Sequence, residues 1–145
     1  MSKASDGRLK AVKAYFEAVD SGRVPDELFA PGFEFWFPKF GMGNGLEELG
    51  EFAAGLWSAG LSVTHHRDRL KFLESGSHII VEGTTFGQDM EGRRWDGGTT
   101  PGGRFCSVFD FDDAGLISRM YVYMDPDYTS ADTDRIYWNR AQYRW

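Results

Sequence analysis

Four side chains in this sequence have types that suit proton transfer or polarisation of an oxygen: Tyr15, His65, His66 and Asp96. His65 and His66 are adjacent in a stretch of period two, so on one strand they point to opposite faces. One can look into a cavity while the other looks out. A histidine titrates near neutrality and suits a general acid or base. Spacing to Ile79-Ile80 puts His65 inside, whereas alternation with Leu70 and Phe72 puts His66 inside unless a bulge intervenes. Both histidines stay open as candidates. Tyr15 reads as a hydrogen-bond donor into a pocket or as a helix-edge aromatic packed on a sheet. Asp96 follows Trp95 at the edge of a glycine-rich stretch; it can reach a cavity mouth as a base or cap the loop.

Several other groups read as structural. Adjacent histidines on opposite faces cannot share one metal, and no other His/Cys cluster exists, so the reading assigns no metal. The lone cysteine, Cys106, excludes an internal disulfide and reads as a small mid-strand hydrophobe. The run 97–103 (Gly-Gly-Thr-Thr-Pro-Gly-Gly) precedes a strand and lacks a Lys-Ser/Thr pair. It is therefore a mobile connection or pocket lid, not a phosphate cradle. Glu34, Arg104 and Asp110 fall on outward alternations, as sheet-surface or interface charges.

The elements that must carry these groups follow from periodicity. Leu9, Val12, Phe16 and Val19 form one buried stripe of a helix over about residues 8–20, ended by Ser21-Gly22. Tyr15 borders that stripe. A short second helix has Pro25 in its first turn and Leu28-Phe29 as anchors, and Phe33-Glu34-Phe35-Trp36-Phe37 is a strand. Asn44 with Glu47 caps a third helix carrying Leu46, Leu49, Phe52, Ala53, Leu56 and Trp57. From residue 61 the period becomes two, with a long strand to about residue 72. The last clear unit is a hairpin, in which two runs rich in aromatic and β-branched residues flank Asp112-Asp113-Ala114-Gly115. Helices followed by a meandering sheet make an α+β domain. One domain spans the 145 residues, and its tail (126–145), with Tyr128, Ile136, Tyr137, Trp138, Tyr143 and Trp145, docks on the sheet or a partner.

A net charge of −6 argues against nucleic acid, whose phosphates need clustered Lys and Arg. No apolar run approaches the length of a membrane span, and the first residues lack an apolar signal core. The expected compartment is the reducing cytoplasm.

Four segments in order resemble the nuclear transport factor 2-like superfamily, in its SnoaL-like and ketosteroid-isomerase-like branch. They are Val12-Lys13-Ala14-Tyr15-Phe16-Glu17-Ala18-Val19-Asp20-Ser21-Gly22, Leu28-Phe29-Ala30-Pro31-Gly32-Phe33, Val108-Phe109-Asp110-Phe111-Asp112-Asp113-Ala114-Gly115-Leu116-Ile117 and Val122-Tyr123-Met124-Asp125-Pro126. The resemblance implies three N-terminal helices on a strongly curved, mostly antiparallel sheet forming a cone, with a deep apolar pocket and often a homodimer through the sheet. Steroid isomerases of this superfamily use a first-helix tyrosine, matched by Tyr15, and two aspartates, which fall here at Phe37 and Ser107. A phenyl ring cannot move a proton, so that mechanism is not implied. Scytalone-dehydratase-like members use a pocket histidine on the equivalent strand.

The expected pocket wall comprises Phe33, Phe35 and Phe37 from the first strand, with Val81 and Gly83 from a middle one. The last hairpin adds Phe105, Ser107, Phe109, Met120, Val122 and Met124. Gly83 deepens the cavity or permits a bend. The expected function is cofactor-free acid/base chemistry on a small hydrophobic molecule, of isomerase, cyclase or dehydratase type. A non-catalytic ligand-binding pocket and a dimeric interaction domain are the alternatives. A ligand cavity of ~300 Å³ or more is the expected size.

Overall fold

The computed structural model describes residues 3–100 and 102–129, with side chains from Asp6 onward. Among these residues, two α-helices pack on eight strands. Helix α1 (Lys3–Asp20) buries Val12, Tyr15, Phe16 and Ala18. Helix α2 spans Gly45–Ser58. The strands are β1 (Phe29–Phe37), β2 (Gly41–Asn44), β3 (Ser62–His65), β4 (Lys71–Ser75), β5 (His78–Gln88), β6 (Arg94–Asp96), β7 (Arg104–Phe111) and β8 (Ile117–Met124). Their order is β2-β1-β8-β7-β5-β3, with β4 and β6 also paired to β5. β1 and β8 run parallel and the other pairs antiparallel.

This is an α+β fold on a mixed, mostly antiparallel sheet, with three corrections to the sequence reading. The expected second helix is a single 3₁₀ turn, Asp26–Leu28, because β1 starts at once at Phe29. The sheet is open, with β2 at one edge, so it does not close into a cone. The long strand expected over residues 61–72 is two strands parted by a 3₁₀ turn, Arg67–Arg69. That break ends the alternation that had favoured His66.

Gly41–Asn44, whose glycines would suit a loop, pairs with β1 as an edge strand. Asn44 makes no side-chain cap, but its backbone N–H donates to Glu48, so the reciprocal carboxylate is Glu48 and not Glu47.

The β7–β8 hairpin has the expected faces. Phe105, Ser107, Phe109 and Phe111 are buried, while Cys106, Val108 and Asp110 are half-exposed on the other side. β5 changes partners along its length, pairing with β4 and β7 first and with β3 and β6 beyond. Gly83 lies near this exchange, and its missing side chain neither deepens a cavity nor sits at a positive φ. A Cβ there would lie 2.5 Å from Leu70 Cδ2 and 2.9 Å from Phe105 Cε1, so the space is already filled. Gly83→Ala should cost about 1–3 kcal/mol through overpacking, read as a lower urea midpoint with unchanged slope.

Candidate functional site

One cavity of about 160 Å³ opens between α1, α2 and the inner sheet face. Helix α1 contributes Tyr15, Phe16 and Val19; α2 contributes Leu49, Phe52, Ala53, Leu56 and Trp57. The sheet supplies Phe37, Val63, His65, Thr85, Phe105, Ser107, Val122 and Met124. The volume is below the ~300–1,000 Å³ usual for ligand pockets. It is close to the roughly 150 Å³ engineered cavity that holds benzene in another protein, so a one-ring molecule fits it.

His65 is the titratable imidazole in this wall, and it is clamped. Its Nδ1 lies 2.6 Å from Asp20 Oδ1, and its backbone N–H donates to the same oxygen at 3.1 Å. A carboxylate only accepts, so Nδ1 carries the proton and Nε2 is the free lone pair. Among the described residues Nε2 has no hydrogen-bond partner. The ring is held edge-on by Phe16 at 4.7 Å and Phe105 at 5.1 Å. Asp20 is 7% exposed, and its Oδ2 has no hydrogen bond, with Arg67 Nε 3.6 Å away.

Tyr15 packs edge-on against Phe16, Phe29 and Phe109. Burial first, and the Asp20 charge second, push its phenol well above the usual range. It therefore stays a protonated donor at neutral pH, and no hydrogen-bond acceptor takes its hydroxyl among the described residues. Ser107 is buried on the same wall. Along β7, Phe109 lies under Tyr15 and Phe105 beside His65, with Ser107 between them.

The other expected site residues lie elsewhere. His66 turns away: its Nδ1 meets Thr84 Oγ1 at 2.9 Å, and its Nε2 lies 3.3 Å from Asp96 Oδ1. Asp96 is exposed outside the cavity, and its backbone carbonyl accepts from the N–H and hydroxyl groups of both Thr99 and Thr100, so it caps the loop. Phe33, Val81, Phe109 and Met120 are fully buried core and do not line the cavity. Phe35 is core too, bordering a separate shallow hollow near β2. Among the described residues no three His, Cys, Asp or Glu side chains gather as a ligand group.

Sequence reasoning missed Asp20. One signal was available: a carboxylate as the last residue of a helix sits at the negative end of the helix dipole, a placement unfavourable by ~0.3–1 kcal/mol unless something offsets it. Here the imidazole of His65 does.

A SnoaL-like domain profile matches residues 12–120, well over half of the chain. The chain belongs to the SnoaL-like family. Solved structures agree on the fold. An NTF2-like protein of unknown function from Burkholderia pseudomallei superposes with a TM-score of 0.68 at 21% identity, over 86% of this chain and 92% of its own. A candidate polyketide cyclase from Silicibacter sp. gives 0.70 at 16% identity, over 83% and 90%. An epoxide hydrolase/cyclase-like enzyme of pyran ring formation in the polyether salinomycin gives 0.64 at 18% identity, over 86% and 95%. No curated protein matches the chain. Phe37 and Ser107 both lie on the cavity wall.

No helix among the described residues is long and apolar enough to cross a membrane. Apart from Tyr128, the tail residues named above (Ile136, Tyr137, Trp138, Tyr143 and Trp145) lie outside the described residues.

Proposed function

We propose that this SnoaL-like chain is a cofactor-free acid/base enzyme acting on a small hydrophobic molecule, of cyclase, isomerase or dehydratase type. The observation that carries the reading is the Asp20–His65 pair at the cavity wall. Asp20 holds the ring in the tautomer that presents Nε2 as a base and stabilises the imidazolium that forms when Nε2 takes a proton. The imidazolium then returns that proton to a different atom of the same molecule, so no co-reactant is needed. Tyr15 donates a hydrogen bond to the oxygen on which charge develops, and the aromatic wall strengthens that bond by excluding water. The cyclase names borne by some structural neighbours favour the same class of chemistry.

Mass spectrometry of molecules retained by native protein would supply the substrate scaffold. On that substrate, Tyr15→Phe should lower kcat by about 10²–10³, with the thermal midpoint little changed because the lost hydroxyl has no acceptor among the described residues. Full activity in Tyr15→Phe would make the tyrosine structural. A retained ligand with no turnover in any assay would favour the rival reading, a non-catalytic binding pocket, which the cavity acids' absence at Phe37 and Ser107 favours.

The working assembly in this reading is a homodimer through the outer sheet face. Met42, Trp36, Tyr121, Val108, Ile80 and Leu73 sit side by side across six strands there. Several charges beside this row have partners within the face: Arg119 and His78 with Asp110, and Glu34 with the Tyr121 hydroxyl. Those groups can be covered without stranding a charge. The free thiol of Cys106 suits the cytoplasm as the location.

A further inference from the structure

Tyr128 lies beyond the last strand yet forms part of the cavity wall. Its ring stacks on Trp95 with centroids 4.4 Å apart and planes at 19°. Trp95 is itself fixed, because its indole N–H donates to Thr85 Oγ1 at 3.1 Å and that hydroxyl donates to the Gly103 carbonyl at 3.2 Å. The backbone of Tyr128 presses on Gly102, where a Cβ would lie 2.0 Å from the Tyr128 carbonyl oxygen. The phenol itself is weakly held. Among the described residues its hydroxyl meets only the Met124 thioether, at 3.5 Å, and burial pushes it up to about 12. One side of the cavity is thus a strap of chain, held by a ring stack on β6 and by backbone packing on Gly102 of the glycine-rich loop.

We infer that Tyr128 is a specificity-determining residue: with its ring seated on Trp95 the cavity admits one-ring molecules, and larger planar molecules enter only when that ring is displaced. The argument rests on the cavity being the ligand site. The volume sets the limit, since about 160 Å³ matches a benzene-sized guest. The chemistry points the same way, because a flat aromatic guest can replace Tyr128 on the Trp95 face and regain the stacking that the tyrosine gives up. Gly102 is part of the device, since any side chain there would push the strap off the loop.

The test uses the full chain and two probes, p-cresol and 2-naphthol, titrated by NMR with the His65 ring resonances as the reporter of cavity binding. Tyr128→Ala should bind 2-naphthol roughly tenfold or more tightly than the unaltered protein, while p-cresol binding stays similar. Tyr128→Phe, which keeps the stack, should behave like the unaltered protein. Gly102→Ala, which removes no cavity side chain but displaces the Tyr128 strap, should reproduce the Tyr128→Ala gain and guards against a folding defect in the first variant. Equal 2-naphthol affinity in all four proteins would overturn the role of Tyr128 while leaving the cavity as a ligand site. If neither probe moves the His65 resonances in any of them, the cavity reading fails and the inference falls with it.

Discussion

His65→Gln should lower kcat by about 10²–10⁴, the range for loss of a positioned acid/base group. Glutamine keeps a similar bulk beside Phe16 and Phe105 but cannot take up a proton. Asp20→Asn should cost nearly as much. The amide still fills its site at the end of α1, but it can no longer stabilise an imidazolium 2.6 Å away. Because the two residues act as one unit, the double variant should be little worse than either single one. Steady-state rates on the ligand-derived substrate, taken across pH, check this. Loss of the histidine limb of the pH profile in His65→Gln is the expected signature. An unchanged profile would leave the pair as a structural clamp between α1 and β3. His66→Gln is the internal control, since its ring faces Thr84 and Asp96 and should leave the rate near that of the unaltered protein.

Phe109→Ala should destabilise the fold by about 3–5 kcal/mol, the range for a fully buried phenylalanine. Phe109 has no exposed surface and contacts the rings of Tyr15 and Phe16 at 5.4 and 6.0 Å. It joins α1 to the middle of the hairpin, so the void cannot close without moving the helix that carries the site. Chemical denaturation should show a much lower midpoint. Any folded fraction should also lose activity, because Tyr15 would sink toward the vacated space. A cost under ~1 kcal/mol would mean that the core repacks freely around this position.

Periodicity made much of the scaffold legible. The stripe of α1 and the two runs of the β7–β8 hairpin stand out because each repeats its apolar spacing over several turns or residue pairs. The misses have local causes. Asp26-Glu27-Leu28 is one turn long, too short to nucleate an α-helix before β1 begins. Arg67-Asp68-Arg69 falls inside the long strand expected to about residue 72, but it is the turn that separates β3 from β4. Gly41-Met42-Gly43-Asn44 carries loop composition and is a strand only because β1 supplies its hydrogen bonds.

The candidate site divides along the same line. Tyr15 and His65 are recognisable from residue type and position, since a tyrosine beside a buried helical stripe and a histidine on a half-buried strand can do little else but face inward or outward. Which histidine faces the cavity depended on the 3₁₀ break after β3, and no pattern within the strand reports that. Asp20 becomes His65's partner across 45 residues of chain, through the docking of the end of α1 against the end of β3. A pairing at that distance has no periodic trace, because it is fixed by how two finished elements pack and not by the preferences of either one.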